Sequence, residues 1–129
     1  MSAGRQRKFM SAIGWVLSVM VALFMASGLP MYFINRDPIV KGMSEHGYPS
    51  NVALPILIAS FVSAVLYLIP RTAPLGAVLL TGYLGGAIAT HVRAGENFAM
   101  AAIFAVVMWF GLFFRDPGVR DLLPLRRGA

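Results

Sequence analysis

Four apolar segments without a charged residue alternate with short polar stretches along this chain of 129 residues. They comprise residues 9–34, 52–69, 73–90 and 98–114, and every Lys, Arg, Asp and Glu lies outside them. A helix rises about 1.5 Å per residue and the hydrocarbon layer of a bilayer is about 30 Å thick, so each segment matches or nearly matches a membrane span. The pattern predicts an all-α fold, an integral membrane four-helix bundle.

The polar stretches leave no room for a second folded unit, so residues 1–129 are predicted to form a single membrane domain. Between the first two spans, Asp37 suits the cap of a short helix, Pro38 its first position and Gly47 its left-handed stop. Apolar and polar residues alternate there with helical spacing, which predicts a short amphipathic helix at the membrane interface. Pro30, near the end of the first span, is predicted to kink or end that helix.

The formal net charge of +6 does not indicate nucleic-acid binding, because the basic residues are scattered over short loops. Counting them gives eight on the side of the termini against three on the other side. By the positive-inside rule, both termini of this multi-pass protein are predicted to be cytoplasmic. The eight are Arg5, Arg7, Lys8, Arg71, Arg115, Arg120, Arg126 and Arg127.

The third span carries small residues at spacings of three and four: Thr81, Gly82, Gly85, Gly86 and Ala89. Small side chains let helix backbones approach closely in lipid, so this stripe predicts helix packing at the centre of the bundle. The alternative is that the same residues leave room for a flat apolar ligand, such as a quinone or a lipid tail. The sequence leaves both interpretations open.

Polar residues of the third span, Tyr83, Thr90 and His91, share another helix face and form a candidate ligand-binding strip. His91 and His46 are the two histidines, and together with three charged neighbours they are candidates for a shallow polar site (Glu45, Arg93 and Glu96). Two histidines at loosely defined positions do not predict a metal site, because metal sites show more ligands at constrained spacing. No metal and no catalytic residue set is therefore predicted.

Two absences exclude further classes of protein. The spans contain no Asp, Glu, Lys or Arg, and a proton-coupled transporter needs such a group inside the membrane. The chain has no cysteine, which excludes disulfides, thiolate metal ligands and thiol redox chemistry of its own.

The segment LLTGYLGGAIATHVR, residues 79–93, resembles the third-helix signature of the DoxX-like family of small four-helix bacterial membrane proteins. Further segments are similar to that family, and together they extend the resemblance over residues 15–127; these are residues 47–49, 67–72, 115–117 and 123–126. The family takes its name from the small membrane subunit of a thiosulfate:quinone oxidoreductase.

The resemblance implies a non-catalytic accessory or anchor subunit of a membrane-associated redox system in the inner membrane of a bacterial cell, and it leaves a link to quinone open. Its expected partners are the lipid bilayer and a membrane or peripheral oxidoreductase, and a homo-oligomer stays open. No cofactor is evident from the residues, and quinone is the one candidate. Two alternatives remain: a binder or carrier of an apolar small molecule such as quinone or lipid, and a quinone-linked membrane oxidoreductase.

Overall fold

The computed structural model describes residues 2–125, which contain helices, turns and no strand. The predicted all-α fold is confirmed. Arg126 and Arg127, which count toward the predicted topology, lie outside the described residues. A 3-10 turn at Ser50–Val52 precedes the third of six helices, which are α1 (Ala3–Ile34), α2 (Asp37–Glu45), α3 (Ala53–Leu68), α4 (Ala73–Arg93), α5 (Ala99–Arg115) and α6 (Pro117–Leu122).

The four long helices correspond to the four predicted spans. α1, α4 and the segment Ser50–Leu68 are each long and apolar enough to cross a membrane. α5 is a shorter apolar helix of 17 residues, with a length of about 25 Å that covers most of the hydrocarbon layer. Several long apolar helices in one chain of this size are the architecture of a membrane-embedded bundle.

The first helix ends at Ile34, the last residue of the predicted span 9–34, but it starts earlier than predicted. It begins at Ala3 rather than at residue 9, because Ser2 caps it by accepting a hydrogen bond from the backbone N–H of Arg5 at 3.2 Å. Of the two predicted effects of Pro30, the helix end is wrong, since α1 continues to Ile34, and the kink stays a prediction. Proline removes one backbone donor, whereas the turn after it remains bonded: the N–H of Asn35 donates to the carbonyl of Met31 at 2.9 Å.

The long helices form a ring in which α1 contacts α3 and α5, and α4 contacts the same two helices. α1 and α3 are antiparallel, because Ser18 and Met25 of α1 bond to Tyr67 and Ser60 of α3, respectively. One end of the bundle, the α6 end, holds the start of α1 and the end of α5. The other, the α2 end, holds α2 and the loop between α4 and α5.

The core lies where the four helices meet. The larger buried side chains include Val21 of α1, Tyr67 of α3, Leu80 of α4, and Met108 and Leu112 of α5. Many large apolar side chains face outward instead, such as Phe9, Val16, Leu23, Val78, Met100 and Ile103. An apolar outer surface of this extent is suited to lipid rather than water as the surrounding solvent.

The amphipathic helix predicted between the first two spans is confirmed as α2, and Gly47 has the predicted positive φ, at 86°. The predicted cap is wrong. Asp37 is the first helical residue, and Arg36 takes the cap position without a side-chain hydrogen bond. The backbone of Arg36 is already helical, and its carbonyl accepts a hydrogen bond from Val40 at 2.9 Å, so the helix starts one residue earlier than expected.

Candidate functional site

A cavity of about 500 Å³ opens between α2 and α4 at the α2 end of the bundle. We call it the α2–α4 cavity. Its apolar wall comes from α2 and the start of α3, including Ile39, Met43 and Ile56. Its polar wall comes from α4 and from the loop after α2, with the side chains of His46, Tyr48, Tyr83, Thr90 and His91. The cavity thus combines an apolar surface with a cluster of hydroxyl and imidazole groups.

The three residues predicted to bind a ligand, Tyr83, Thr90 and His91, all line this cavity. Their spacing of seven and eight residues places them on one face of α4. Thr90 Oγ1 and His91 Nδ1 each donate to a carbonyl four residues earlier, those of Gly86 at 2.9 Å and Ala87 at 2.7 Å. These bonds fix the side chains against the helix, so the polar wall is ordered before any ligand arrives.

The loop that follows α2 is fastened to the end of α4. The Tyr48 hydroxyl lies 2.6 Å from Thr90 Oγ1 and donates to it, because the Thr90 proton is already given to the backbone. Arg93 Nη2 donates to the carbonyl oxygen of His46 at 2.6 Å. These two contacts hold His46 beside α4 and close the cavity on its polar side.

The small residues of α4 do not pack at the centre of the bundle as predicted. A Cβ atom added at Gly82, Gly85 or Gly86 would meet nothing within 4 Å, and Ala89 is exposed. Among the five residues of the stripe, Thr81 has an interhelical hydrogen bond, accepted from Trp109 Nε1 of α5 at 2.8 Å. The residues that α4 buries are Ala73, Gly76, Ala77, Leu80 and Leu84.

The reason for this correction is physical. Small residues permit close approach but bury little area, whereas Leu80 and Leu84 lose most of their exposed surface in the core. The α4 face with larger side chains therefore turns inward. Gly82 and Gly86 line the α2–α4 cavity. This position agrees with the alternative interpretation of the stripe, in which small residues leave room for a ligand.

A second cavity of about 380 Å³ lies on the other side of Tyr83. It is bordered by α1, α3 and α5, with Phe24, Leu57 and Phe104 among its apolar residues. Tyr83, Ala87 and His91 line both cavities, so they form the partition between them.

Two histidines and a glutamate meet at the mouth of the α2–α4 cavity. His46 Nε2 lies 2.9 Å from a carboxylate oxygen of Glu96, and His91 Nε2 lies 3.9 Å from the same oxygen. The hydrogen bond from His46, with the attraction of the imidazolium, lowers the pKa of the Glu96 carboxyl below 4.5. The hydrogen bond to Glu96 and another to the Gly42 carbonyl raise the pKa of His46 above 6.5.

At the α6 end, a hydrogen-bonded chain that the sequence analysis missed runs through the core. Arg115 Nε donates to Ser18 Oγ at 2.8 Å, Ser18 bonds the Tyr67 hydroxyl at 3.1 Å, and that hydroxyl donates to the Met108 carbonyl at 2.6 Å. The guanidinium also bonds the carbonyl of Tyr67 and lies 4.3 Å from the centre of the Trp15 ring. No sequence signal marked these residues, because they come from three separate helices.

The two ends therefore differ in chemistry. In the described residues, the α6-end network joins three helices to each other, while the α2-end groups border open space. Hydroxyl, phenol and imidazole groups beside an apolar cavity can bind a molecule that has a polar head and an apolar body. The arrangement contains none of the nucleophile, base and orienting-group sets that hydrolytic enzymes use.

Comparison with known proteins matches the chain to a protein family. No curated protein and no solved structure matches the chain. The sequence profile of the DoxX-like family matches residues 16–111, a range that includes α2, the cavity residues and the His46–Glu96 contact. Since this match covers most of the chain, the protein belongs to the DoxX-like family.

Proposed function

We propose that this DoxX-like protein is a non-catalytic membrane subunit that binds an apolar small molecule with a polar head, such as a quinone or a lipid, in the α2–α4 cavity. The observation that supports the proposal is the composition of the cavity wall. Apolar side chains of α2 and α3 face hydroxyl and imidazole groups of α4 across about 500 Å³, a volume within the range of small-molecule sites.

A quinone fits this wall chemically. Its ring is flat and its two carbonyl oxygens are acceptors, which the phenol of Tyr83 can serve as a donor. Gly82 and Gly86 offer a surface without side chains against which a flat ring can lie. The isoprenoid tail matches the apolar residues, such as Ile39 and Ile56. A phospholipid shares the apolar tail but not the flat head.

The experiment compares two glycine variants of the purified protein in lipid nanodiscs. Gly86→Leu places a side chain inside the cavity, whereas Gly85→Leu, one residue away, places the same side chain on an exposed surface that borders neither cavity. Added ubiquinone or menaquinone should raise the melting temperature of the wild type and of Gly85→Leu, but not that of Gly86→Leu.

Adding phospholipid of defined composition in detergent separates a lipid ligand from a quinone. Stabilisation by lipid alone, lost in Gly86→Leu, assigns the cavity to a lipid. Equal responses of all three proteins to both ligands, or no response and no co-purified small molecule by native mass spectrometry, would contradict a binding function.

The finer role proposed for the protein is that of an accessory or anchor subunit in a quinone-linked redox system. The composition of the spans favours this role, because residues 9–34, 52–69, 73–90 and 98–114 contain no Cys, Asp, Glu, Lys or Arg. Such helices can hold a partner or a ligand but lack groups for electron or proton transfer of their own. Isolation in mild detergent should retain an oxidoreductase that carries its own redox cofactor; recovery of this chain alone would oppose the role.

We also propose the orientation in which both termini face the cytoplasm of the inner membrane and α2 faces the opposite side. The positive-inside count supports it. Because the chain has no cysteine, Ser2→Cys and Ser44→Cys each provide a single thiol, the first before α1 and the second exposed on α2. An impermeant maleimide should label Ser44→Cys in cells whose outer membrane is permeable, and Ser2→Cys only after lysis. The reverse pattern would invert the orientation.

A further inference from the structure

Three metal-ligating side chains from three different segments converge at the α2 end. His46 follows α2, His91 lies in the last turn of α4, and Glu96 lies in the loop before α5. One ligand atom from each of them lies within 4.8 Å of the other two. Their side chains are 23%, 36% and 50% exposed, so the group is accessible to an ion from the aqueous side.

The two imidazole rings are oriented alike. His46 Nδ1 lies 2.7 Å from the Gly42 carbonyl and His91 Nδ1 lies 2.7 Å from the Ala87 carbonyl. Since a carbonyl oxygen only accepts, each Nδ1 carries the proton, and each Nε2 points away from its own helix toward Glu96. This support of Nδ1–H by a backbone carbonyl is the arrangement in which histidine binds metal through Nε2, with its tautomer and ring direction already fixed.

The distances suit a first-row divalent ion. Zinc binds histidine nitrogen and carboxylate oxygen at about 2.0–2.2 Å in a tetrahedral arrangement, which puts neighbouring ligand atoms roughly 3.4 Å apart. The contacts to the Glu96 oxygen, 2.9 Å from His46 and 3.9 Å from His91, fall on either side of that value. Glu96 is the most exposed of the three side chains, at 50%, so its carboxylate has space to move from His46 toward His91 while the two rings keep their backbone hydrogen bonds.

The local charge is mixed. Glu96 contributes a negative charge to the group, and Glu45, next to His46, adds another nearby. The guanidinium of Arg93 opposes a cation, but its Nη2 is directed at the backbone carbonyl of His46 rather than at the ring nitrogens. One carboxylate ligand and a second carboxylate close by offset a single guanidinium.

We propose that His46, His91 and Glu96 form a binding site for a divalent transition-metal ion, with zinc as the best match. Two imidazoles and one carboxylate favour zinc or copper over magnesium and calcium, which prefer sets of oxygen ligands. Three protein ligands leave one tetrahedral position for water or another small ligand. On binding, the ion replaces the proton on His46 Nε2, which is released to water. His46 and His91 also line the α2–α4 cavity, and the experiment distinguishes the two sites because it uses the metal ion alone.

The test uses the full chain purified without a polyhistidine tag, stripped with EDTA and exchanged into chelator-free buffer. Zn²⁺ is added alone and binding is measured by calorimetry and by metal analysis after dialysis. The expected stoichiometry is one ion per chain. Glu96→Gln should weaken binding by more than about 100-fold, since loss of a ligand exceeds the roughly 10–100-fold cost of losing a supporting partner. Glu45→Gln is the matched control, because it removes a neighbouring carboxylate that is not a ligand, and should weaken binding far less.

A spectroscopic measurement on the wild type keeps the proposal testable if the variants do not fold. Cu²⁺ bound to the stripped protein should show the hyperfine pattern of two imidazole nitrogens by electron paramagnetic resonance. Fewer than two nitrogens, no stoichiometric binding of Zn²⁺ or Cu²⁺, or equal affinities for Glu96→Gln and Glu45→Gln would overturn the proposal. Failure of this site leaves the quinone and lipid experiment unaffected, since that experiment contains no metal.

Discussion

The two ends of the bundle differ in how closely their helices pack and in what their polar groups contact. At the α6 end, α1 and α5 approach so closely that a Cβ atom on Gly14 would lie 2.8 Å from the Gly111 carbonyl oxygen. Beside this crossing, Arg115, Ser18 and Tyr67 form a hydrogen-bonded chain that ends on a backbone carbonyl. In a membrane interior, hydrogen bonds of this kind satisfy polar groups that cannot bond to water.

At the α2 end, glycines serve the opposite purpose. Gly82 and Gly86 face open space, and the polar side chains line a cavity, with Tyr48 and Arg93 also fastening the loop after α2 to α4. Glycine thus brings helices together at one end and keeps a space free at the other. The α6 end is therefore the closely packed end, and the α2 end carries the proposed binding surface.

The largest expected effect on stability comes from a substitution at the α6 end. A side chain at Gly76 would overlap the backbone of Tyr67, where α3 and α4 meet. Gly76→Val should therefore destabilise the fold by about 3 kcal/mol or more, the upper range for overpacking. The measurement is thermal unfolding in detergent, followed by circular dichroism.

The control for that variant is Gly85→Val, where a Cβ atom meets nothing within 4 Å. It makes the same change in helix propensity on the same helix. Similar melting temperatures for the two variants would contradict the assignment of the α6 end as the tightly packed one.

Removing one hydroxyl at each end separates stability from binding. Tyr67→Phe deletes the donor to the Met108 carbonyl and the partner of Ser18, so it should cost about 1–2 kcal/mol of unfolding free energy. Tyr83→Phe deletes a hydroxyl on the cavity wall and should change the melting temperature little, but lower the stabilisation by added quinone. Equal losses of stability in Tyr67→Phe and Tyr83→Phe would contradict the difference between the two ends. A Tyr83→Phe protein with an unchanged response to quinone would contradict a role for that phenol.

A smaller effect is expected from pH, because His46 and Glu96 at the α2 end contribute to stability only in their charged forms. The raised pKa of His46 means that its contribution to stability is complete below pH 6.5 and lost as the pH rises through the higher folded value. The lowered pKa of Glu96 means that its contribution is complete above pH 4.5 and lost as the pH falls through the lower folded value. Both groups contribute fully between these two values.

Melting temperatures measured with EDTA present should therefore fall slightly as the pH rises above 6.5 or drops below 4.5. The charged and titratable groups around His46 are Glu45, His91, Glu96 and Arg93, whose guanidinium bonds the His46 carbonyl. Glu96→Gln should flatten the His46 part of the profile, and Glu45→Gln should preserve most of it. A wild-type profile with the same slope as Glu96→Gln would contradict the ion pair.

Much of the fold followed from the sequence because the relevant signals are local. The four spans, α2 and the positive φ of Gly47 each depend on hydrophobic runs, proline and glycine positions. The inward face of α4 did not follow, because the small-residue stripe and the Leu80–Leu84 face both suit helix packing. Only the competition between buried areas in the assembled bundle decides which one turns inward.

The candidate site was predictable in part for the same reason. Tyr83, Thr90 and His91 lie on one helix, so their spacing already placed them on a common face. The predicted topology placed His46 and Glu96 on the same side of the membrane although 50 residues separate them, whereas no pattern connects Arg115 with Ser18, 97 residues away. Arg115 also stands outside the apolar runs, and its long side chain reaches back into the bundle from the end of α5.

The most direct test of the central claim is an experimental structure of the protein in lipid nanodiscs, determined by cryo-electron microscopy with a bound antibody fragment. The account predicts non-protein density between α2 and α4 that contacts Tyr83 and His91, and a solid α6 end with Arg115 bonded to Ser18. An α2 helix collapsed onto Gly82 and Gly86, with no space left between them, would contradict it.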